Sequence, residues 1–156
     1  MIRAYATSDL DELVRIGNAA WRNIYESMRN DLGDDIFQVV NPTPNTSKGL
    51  QIIEQIKNHP EWVMICEEQG QIVGFLTYQL NGEIAEICNN AVDPECGLKG
   101  IGQRMYRAAL AHFKTQGIKV VKVSTGLDEG HAPARRAYER VGFSLKRESV
   151  TYFMEL

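Results

Sequence analysis

Apolar residues recur at helical spacing in several windows of the chain. Leu10, Leu13, Val14, Trp21, Ile24 and Met28 predict a helix over residues 9–28. Ser8 precedes it as an N-cap, with Asp11 three positions on in a capping-box-like place, and Gly17 weakens its middle. Leu50, Ile53 and Ile56 form a second stripe, capped by Thr46 or Ser47 and stopped before Pro60. Ile101, Met105, Ala109, Leu110 and Phe113 form a third, ended by Gly117. Ala134, Ala137, Tyr138 and Val141 form the fourth, with Pro133 in its first turn and Gly142 at the C′ position.

Between these stripes the pattern is extended. Residues 2–6, 61–67, 72–78, 83–92 and 118–124 read as strands, with hairpin turns at residues 69–71 and at Asn81-Gly82. Residues 142–145 and 150–154 read as a terminal antiparallel pair. Residues 41–47, with two prolines among polar side chains, form a loop, read as a mobile lid or a connection. The resulting order is β-α-α-β-β-β-α-β-α-β-β, an α/β (α+β) domain with a mixed, mostly antiparallel sheet flanked by helices. Strands 83–92 and 118–124 are joined by a helical crossover and are expected to be parallel neighbours. With no repeat or internal boundary, residues 1–156 read as one domain.

The chemistry concentrates between the long strand and the third helix. Val92-Asp-Pro-Glu-Cys-Gly-Leu-Lys-Gly-Ile-Gly102 is a glycine-rich strand-to-helix turn. The first amides of a helix lack internal partners and sit at the positive end of its dipole, so such a turn is an anion site, usually for phosphate. It is not a P-loop, because Gly102 is followed by Gln103 and Arg104 where Lys-Ser/Thr is needed. It is not a dinucleotide fingerprint either, because Met105 stands where the third glycine belongs.

Composition narrows the setting. The chain has 156 residues, 44% hydrophobic and 24% charged, with a net charge of −3. That balance argues against non-specific nucleic-acid binding. No apolar run approaches the roughly 20 residues needed to span a bilayer, and residues 1–5 lack a signal-peptide core, so a cytoplasmic protein is the default expectation. Cys66, Cys88 and Cys96 are odd in number and widely spaced, which implies neither a disulfide framework nor a metal knuckle.

The element order, residues 91–102 and His131-Ala-Pro-Ala-Arg-Arg-Ala-Tyr-Glu-Arg-Val-Gly-Phe143 together resemble the GNAT superfamily of N-acetyltransferases. Its acyl-CoA motif is Gln/Arg-x-x-Gly-x-Gly/Ala and its second motif ends Tyr-x-x-x-Gly-Phe. Two positions depart from the pattern: Gly97 replaces the usual Gln or Arg, and His131 stands where many members carry Asn. The resemblance implies one N-acetyltransferase domain that uses acetyl-CoA as acyl donor and no metal. It implies pyrophosphate on the amides of Gly97, Leu98, Lys99, Gly100, Ile101 and Gly102, and pantetheine along the free backbone of Ala91 and Val92 near His131. It implies Tyr138 as the acid for the leaving sulfur. Glu86, on the strand leading to the motif, is the candidate base, with a pKa expected to be raised by partial burial. The acceptor implied is a small-molecule or peptide amine, attacked directly in a ternary complex, with no nucleic-acid or membrane partner. Family habit allows a homodimer. A non-catalytic acyl-CoA-binding or sensing module on the same fold is the alternative. Trp21, Tyr25, Trp62 and Phe37 are candidates for an acceptor pocket under the loop 41–47. Arg135, Arg136 and Arg140 read as a solvated helix face, with contact to the CoA 3′-phosphate as the alternative the resemblance implies.

Overall fold

Two tight turns set the sheet. Gly70 and Gly82, both at positive φ, connect β2 (Val63–Glu68), β3 (Gln71–Asn81) and β4 (Ile84–Val92) into an antiparallel meander. β1 (Ile2–Ala4) adds antiparallel to β2, and β5 (Val120–Val123) adds parallel to β4, so the five strands run in chain order. This computed structural model describes residues 1–156. The expected parallel pairing is present, made by the crossover through α4 (Ile101–Thr115).

Alternation along β3 divides the core between the two faces. Phe75 packs with Leu13 and Ile16 of α1 (Leu10–Leu32) and Ile52 and Ile56 of α3 (Ser47–Asn58). Its neighbour Leu76 points the other way, to Met105, Tyr106 and Phe113 of α4 and Tyr138 of α5 (Ala132–Arg140). Each of these aliphatic and aromatic side chains is worth about 1.5–3 kcal/mol when fully withdrawn from water. In the first half of β3, Gly74 lets α4 settle closely on the sheet. A Cβ there would lie 2.8 Å from the Ala91 carbonyl oxygen and 3.2 Å from Met105 Sδ.

Several expectations are corrected. The terminal pair over residues 142–145 and 150–154 does not form, and the sheet has five strands. Alternation supplies the side chains of a strand, but a strand exists only through main-chain pairing. Main-chain bonding ends where Phe143 N–H donates to the Tyr138 carbonyl at 3.1 Å, and the four-residue β5 offers only a short edge beyond. Leu145 and Tyr152 are accordingly 98% and 91% exposed. A short extra helix, α2 (Asp34–Val40), follows α1 and is anchored by buried Phe37. On α3 the buried positions are Lys48, Gly49, Ile52 and Ile56, so the stripe of Leu50 and Ile53 faces outward. Ser8 does not cap α1. Asp9 takes that junction, accepting the Ala6 N–H at 2.8 Å and a two-point contact from Arg3.

Candidate acyl-donor site

The site begins at a break in the sheet. β4 and β5 pair only from Ile84–Val120 to Ile87–Val123, so residues 88–92 have no neighbour on their β5 side. A bulge sits at that point: Cys88 and Asn89 together oppose Thr77 of β3. Fully buried Thr77 fills in for the ladder, its hydroxyl accepting the Asn89 N–H at 2.9 Å and bonding Gln55 at 2.7 Å.

Beyond the break the chain turns through the glycine loop. Asp93 holds the entry, accepting the Glu95 N–H at 3.0 Å on one oxygen and pairing with Arg15 of α1 on the other. Burial pushes the Asp93 carboxyl up, but the Arg15 guanidinium and the Glu95 amide outweigh it and hold the group below its usual range. Gly100 then adopts a left-handed conformation, φ 79°, that a side chain would strain, and α4 starts at the next residue. The amides of residues 97–103 donate to no acceptor in the chain, and helical bonding resumes with Arg104 N–H to the Gly100 carbonyl at 3.1 Å. These open donors at a helix N-terminus suit a pyrophosphate.

A cavity of about 470 Å³ joins the loop to the break. Leu98, Gly100, Ile101 and Gly102 line one end, and Asn90, Ala91 and Val92 line the open strand edge. His131, Ala134, Ala137 and Tyr138 of the α5 segment face them, with Arg136 and Arg140 at the rim. Ala20, Trp21 and Ile24 of α1 close the remaining side. His131 Nδ1 lies 2.6 Å from Asp128, which holds the ring at the cavity wall. Arg135 instead bonds the carbonyls of Gly126 and Asp128 at 2.6 and 2.7 Å, fixing that turn.

At the floor, three side chains form one network. Tyr106 donates its hydroxyl to Asn90 Oδ1 at 2.7 Å, and Asn90 Nδ2 donates to the Tyr138 oxygen at 3.1 Å. The two rings lie 4.8 Å apart, both nearly inaccessible. Burial raises the Tyr138 pKa, opposed by the bonds to Asn90 and Tyr106, so the group is a neutral phenol near neutral pH. Burial also drives Tyr106 well above the ordinary phenol range.

Most of the expected donor-site residues thus converge, with differences. Gly97 and Lys99 lie on the exposed loop outside the cavity lining. Glu86 is also outside it. Lys122 Nζ approaches its carboxylate to 2.7 Å and Gln79 Nε2 to 2.9 Å. The pKa expectation is corrected: the Lys122 contact, against burial and with help from Gln79, holds Glu86 below the usual carboxylate range. The four aromatics do not gather. Trp21 lines the main cavity, Tyr25 and Phe37 line a separate one with Pro44 and Asn45, and Trp62 stacks on His59 at 3.7 Å. The loop 41–47 therefore borders α1 rather than the main cavity. Of the three arginines on α5, Arg136 and Arg140 reach the cavity rim and Arg135 does not. Asn90 and Tyr106 were not anticipated. Their only sequence signal is position: Asn90 precedes Val92 by two on a strand, and Tyr106 follows Met105 on an inward helix face.

Comparison with known proteins bears on the family and the fold. A family model described as the acetyltransferase (GNAT) family matches residues 20–143. A mycothiol acetyltransferase of Thermobispora bispora is 31% identical over 100 residues, covering 60% of this chain and 33% of that protein. An uncharacterized N-acetyltransferase of Methanocaldococcus jannaschii is 30% identical over 98 residues, covering 58% of this chain and 42% of the relative. The chain thus spans well under half the length of these curated relatives. Among solved structures, the PaiA N-acetyltransferase of Thermoplasma acidophilum, in complex with coenzyme A, superposes with a TM-score of 0.71 at 17% identity, covering 96% of this chain and 92% of that one. A GNAT-family acetyltransferase of Brucella melitensis, in complex with acetyl-CoA, gives 0.63 at 18% identity, covering 93% and 82%. At these identities the likeness is one of fold.

Proposed function

The chain belongs to the GNAT acetyltransferase family, and from that premise we propose that it transfers the acetyl group of acetyl-CoA to a primary amine, by direct attack in a ternary complex. One observation carries the reading: a single cavity joins the loop residues Leu98, Gly100, Ile101 and Gly102, whose amides have no partner in the chain, to Tyr138. The amides of Leu98, Lys99, Gly100, Ile101 and Gly102, with Gly97 shaping the turn, hold the pyrophosphate. The open edge at Ala91 and Val92 takes the pantetheine arm as a missing strand would, and His131 borders it from the turn before α5.

The amine nitrogen attacks the thioester carbonyl, a C–N bond forms, and the C–S electron pair leaves on sulfur. The Val92 N–H, which faces the open side of β4 because Asn89 and Asp93 N–H both turn toward β3, polarises the carbonyl oxygen. Tyr138, protonated at neutral pH, gives its proton to the sulfur. Water accepts the proton the amine loses. Glu86, two residues before cavity-lining Cys88, is the carboxylate we assign as terminal acceptor, weakened as a base by Lys122. The acceptor is a small molecule or peptide that presents its amine between Trp21 and the strand edge.

The test is product formation. Acetyl-CoA is incubated with a panel of small primary amines and peptides, and acetylated product is read by mass spectrometry. An acceptor should emerge whose turnover falls on the order of 10²-fold in Tyr138→Phe, the usual worth of a proton donor. Failure of every amine to yield product above the uncatalysed background would overturn the reading.

A further inference from the structure

Tyr138 has a problem of direction. A phenol has one proton, and a nearby acceptor inside the protein would draw that proton away from the leaving sulfur. Of the side chains bonded to Tyr138, Asn90 is the one whose amide offers both an acceptor and a donor. Which end faces Tyr138 therefore decides where the proton points.

The network settles that choice. Asn90 Oδ1 accepts the Tyr106 hydroxyl at 2.7 Å, and the Tyr138 hydroxyl reaches the same oxygen only at 3.4 Å, at the long limit of a hydrogen bond. Asn90 Nδ2 lies closer to Tyr138, at 3.1 Å, and a primary amide nitrogen can only donate. Tyr106 is 3% exposed, and Asn90 Oδ1 is the acceptor its hydroxyl has found. Turning the amide over would place an N–H against that hydroxyl and break its 2.7 Å bond in a buried site, at a cost. Tyr106 thus locks Asn90, and Asn90 donates to Tyr138.

We propose that Asn90 and Tyr106 are positioning residues that occupy the Tyr138 oxygen from behind and hold its proton toward the leaving sulfur. The proposal rests on the acyl-transfer reading above and assigns it two further residues. As the C–S bond breaks, the electron pair on sulfur takes the Tyr138 proton. The phenolate left behind keeps the Asn90 N–H as a donor and regains a proton from water. The same contact opposes the effect of burial on the Tyr138 hydroxyl.

Asn90→Asp is the sharpest perturbation, because it is nearly isosteric. One carboxylate oxygen keeps the Tyr106 bond. The other replaces Nδ2 with an acceptor, which turns the Tyr138 proton around and repels a phenolate. A binding readout needs no acceptor amine: calorimetry of CoA against desulfo-CoA, which lacks the thiol, at about pH 9, where roughly three quarters of a free thiol with pKa near 8.5 is ionised. Wild type should prefer CoA about tenfold, the scale of a charge-assisted hydrogen bond to a thiolate. Tyr138→Phe and Asn90→Asp should each bring the ratio to about one, and the double variant should add nothing, as expected of residues acting as a unit. Tyr106→Phe, which frees the amide to turn, should reduce the preference severalfold and serves if Asn90→Asp does not fold. A wild-type preference retained in Asn90→Asp or in Tyr106→Phe, with Tyr138→Phe at unity, overturns the proposal alone. A preference retained in Tyr138→Phe overturns it together with the acid role of Tyr138. Failure of wild type to bind CoA overturns it through the acyl-donor reading itself.

Discussion

Replacing Lys48 by methionine should change how stability responds to alkali. Lys48 opens α3 and is only 8% exposed. Its ammonium lies 2.9 Å from Gln51 Oε1, 2.9 Å from Asn89 Oδ1 and 4.0 Å from the centroid of the Trp21 ring. No carboxylate pairs with it. Burial lowers its pKa from 10.5 to about 8. Between those values the unfolded chain holds a proton that the folded chain lacks. Stability therefore rises with pH across this window, and the penalty is greatest below it. A one-unit pKa difference is worth about 1.4 kcal/mol, so the penalty is about 3 kcal/mol at neutral pH and about 1.4 kcal/mol near pH 9.5. Urea unfolding of wild type and Lys48→Met at those two pH values should show wild type gaining about 2 kcal/mol on the variant. The comparison cancels the tyrosines, which titrate in both proteins. Parallel pH dependences would refute the claim that Lys48 is buried as a cation without a counter-charge.

Two further predictions concern the frame around the cavity. Gly74→Ala puts a methyl 2.8 Å from the Ala91 carbonyl oxygen and 3.3 Å from Ile101 Cγ2, so thermal unfolding should reveal a loss of about 1–3 kcal/mol, with weaker CoA binding as the start of α4 is pushed outward. Asp9→Asn removes the charge that Arg3 grips at 2.7 and 3.0 Å, and should cost about 2 kcal/mol at neutral pH. The Arg3 contact, against burial, holds the Asp9 pKa below its usual value, so its contribution is present above about pH 4 and lost as pH falls through the lower folded value. The difference between wild type and variant in urea should shrink on acidification.

Features that depend on local chain chemistry were legible in the sequence. The two glycine turns, the crossover that makes β4 and β5 parallel, and the loop at Gly100 all follow from backbone rules acting over a few residues. What depends on packing between distant elements was not. Gly17 reads as a weak point of α1, yet it is the contact that admits α3: a Cβ there would fall 2.3 Å from Ile52 Cδ1. That close approach selects the face carrying Gly49, Ile52 and Ile56, and leaves equally apolar Leu50 and Ile53 outside. At seven residues α2 is too short to declare a period. The alternation of residues 150–154 describes a strand that finds no pairing edge. Asn90, Tyr106 and Tyr138 meet from three different elements, and nothing local marks Asn90 as a partner of either tyrosine.

Acyl-donor binding rests on the loop before α4, proposed above as the pyrophosphate seat. The most direct measurement is calorimetry of acetyl-CoA with wild type and Gly100→Glu. That substitution sets a negative side chain at the open amides and strains the left-handed backbone at φ 79°. Wild type should bind in the micromolar range, and binding should be abolished in a variant whose unfolding remains cooperative. Absence of binding to the wild type, or equal binding to both, would contradict it.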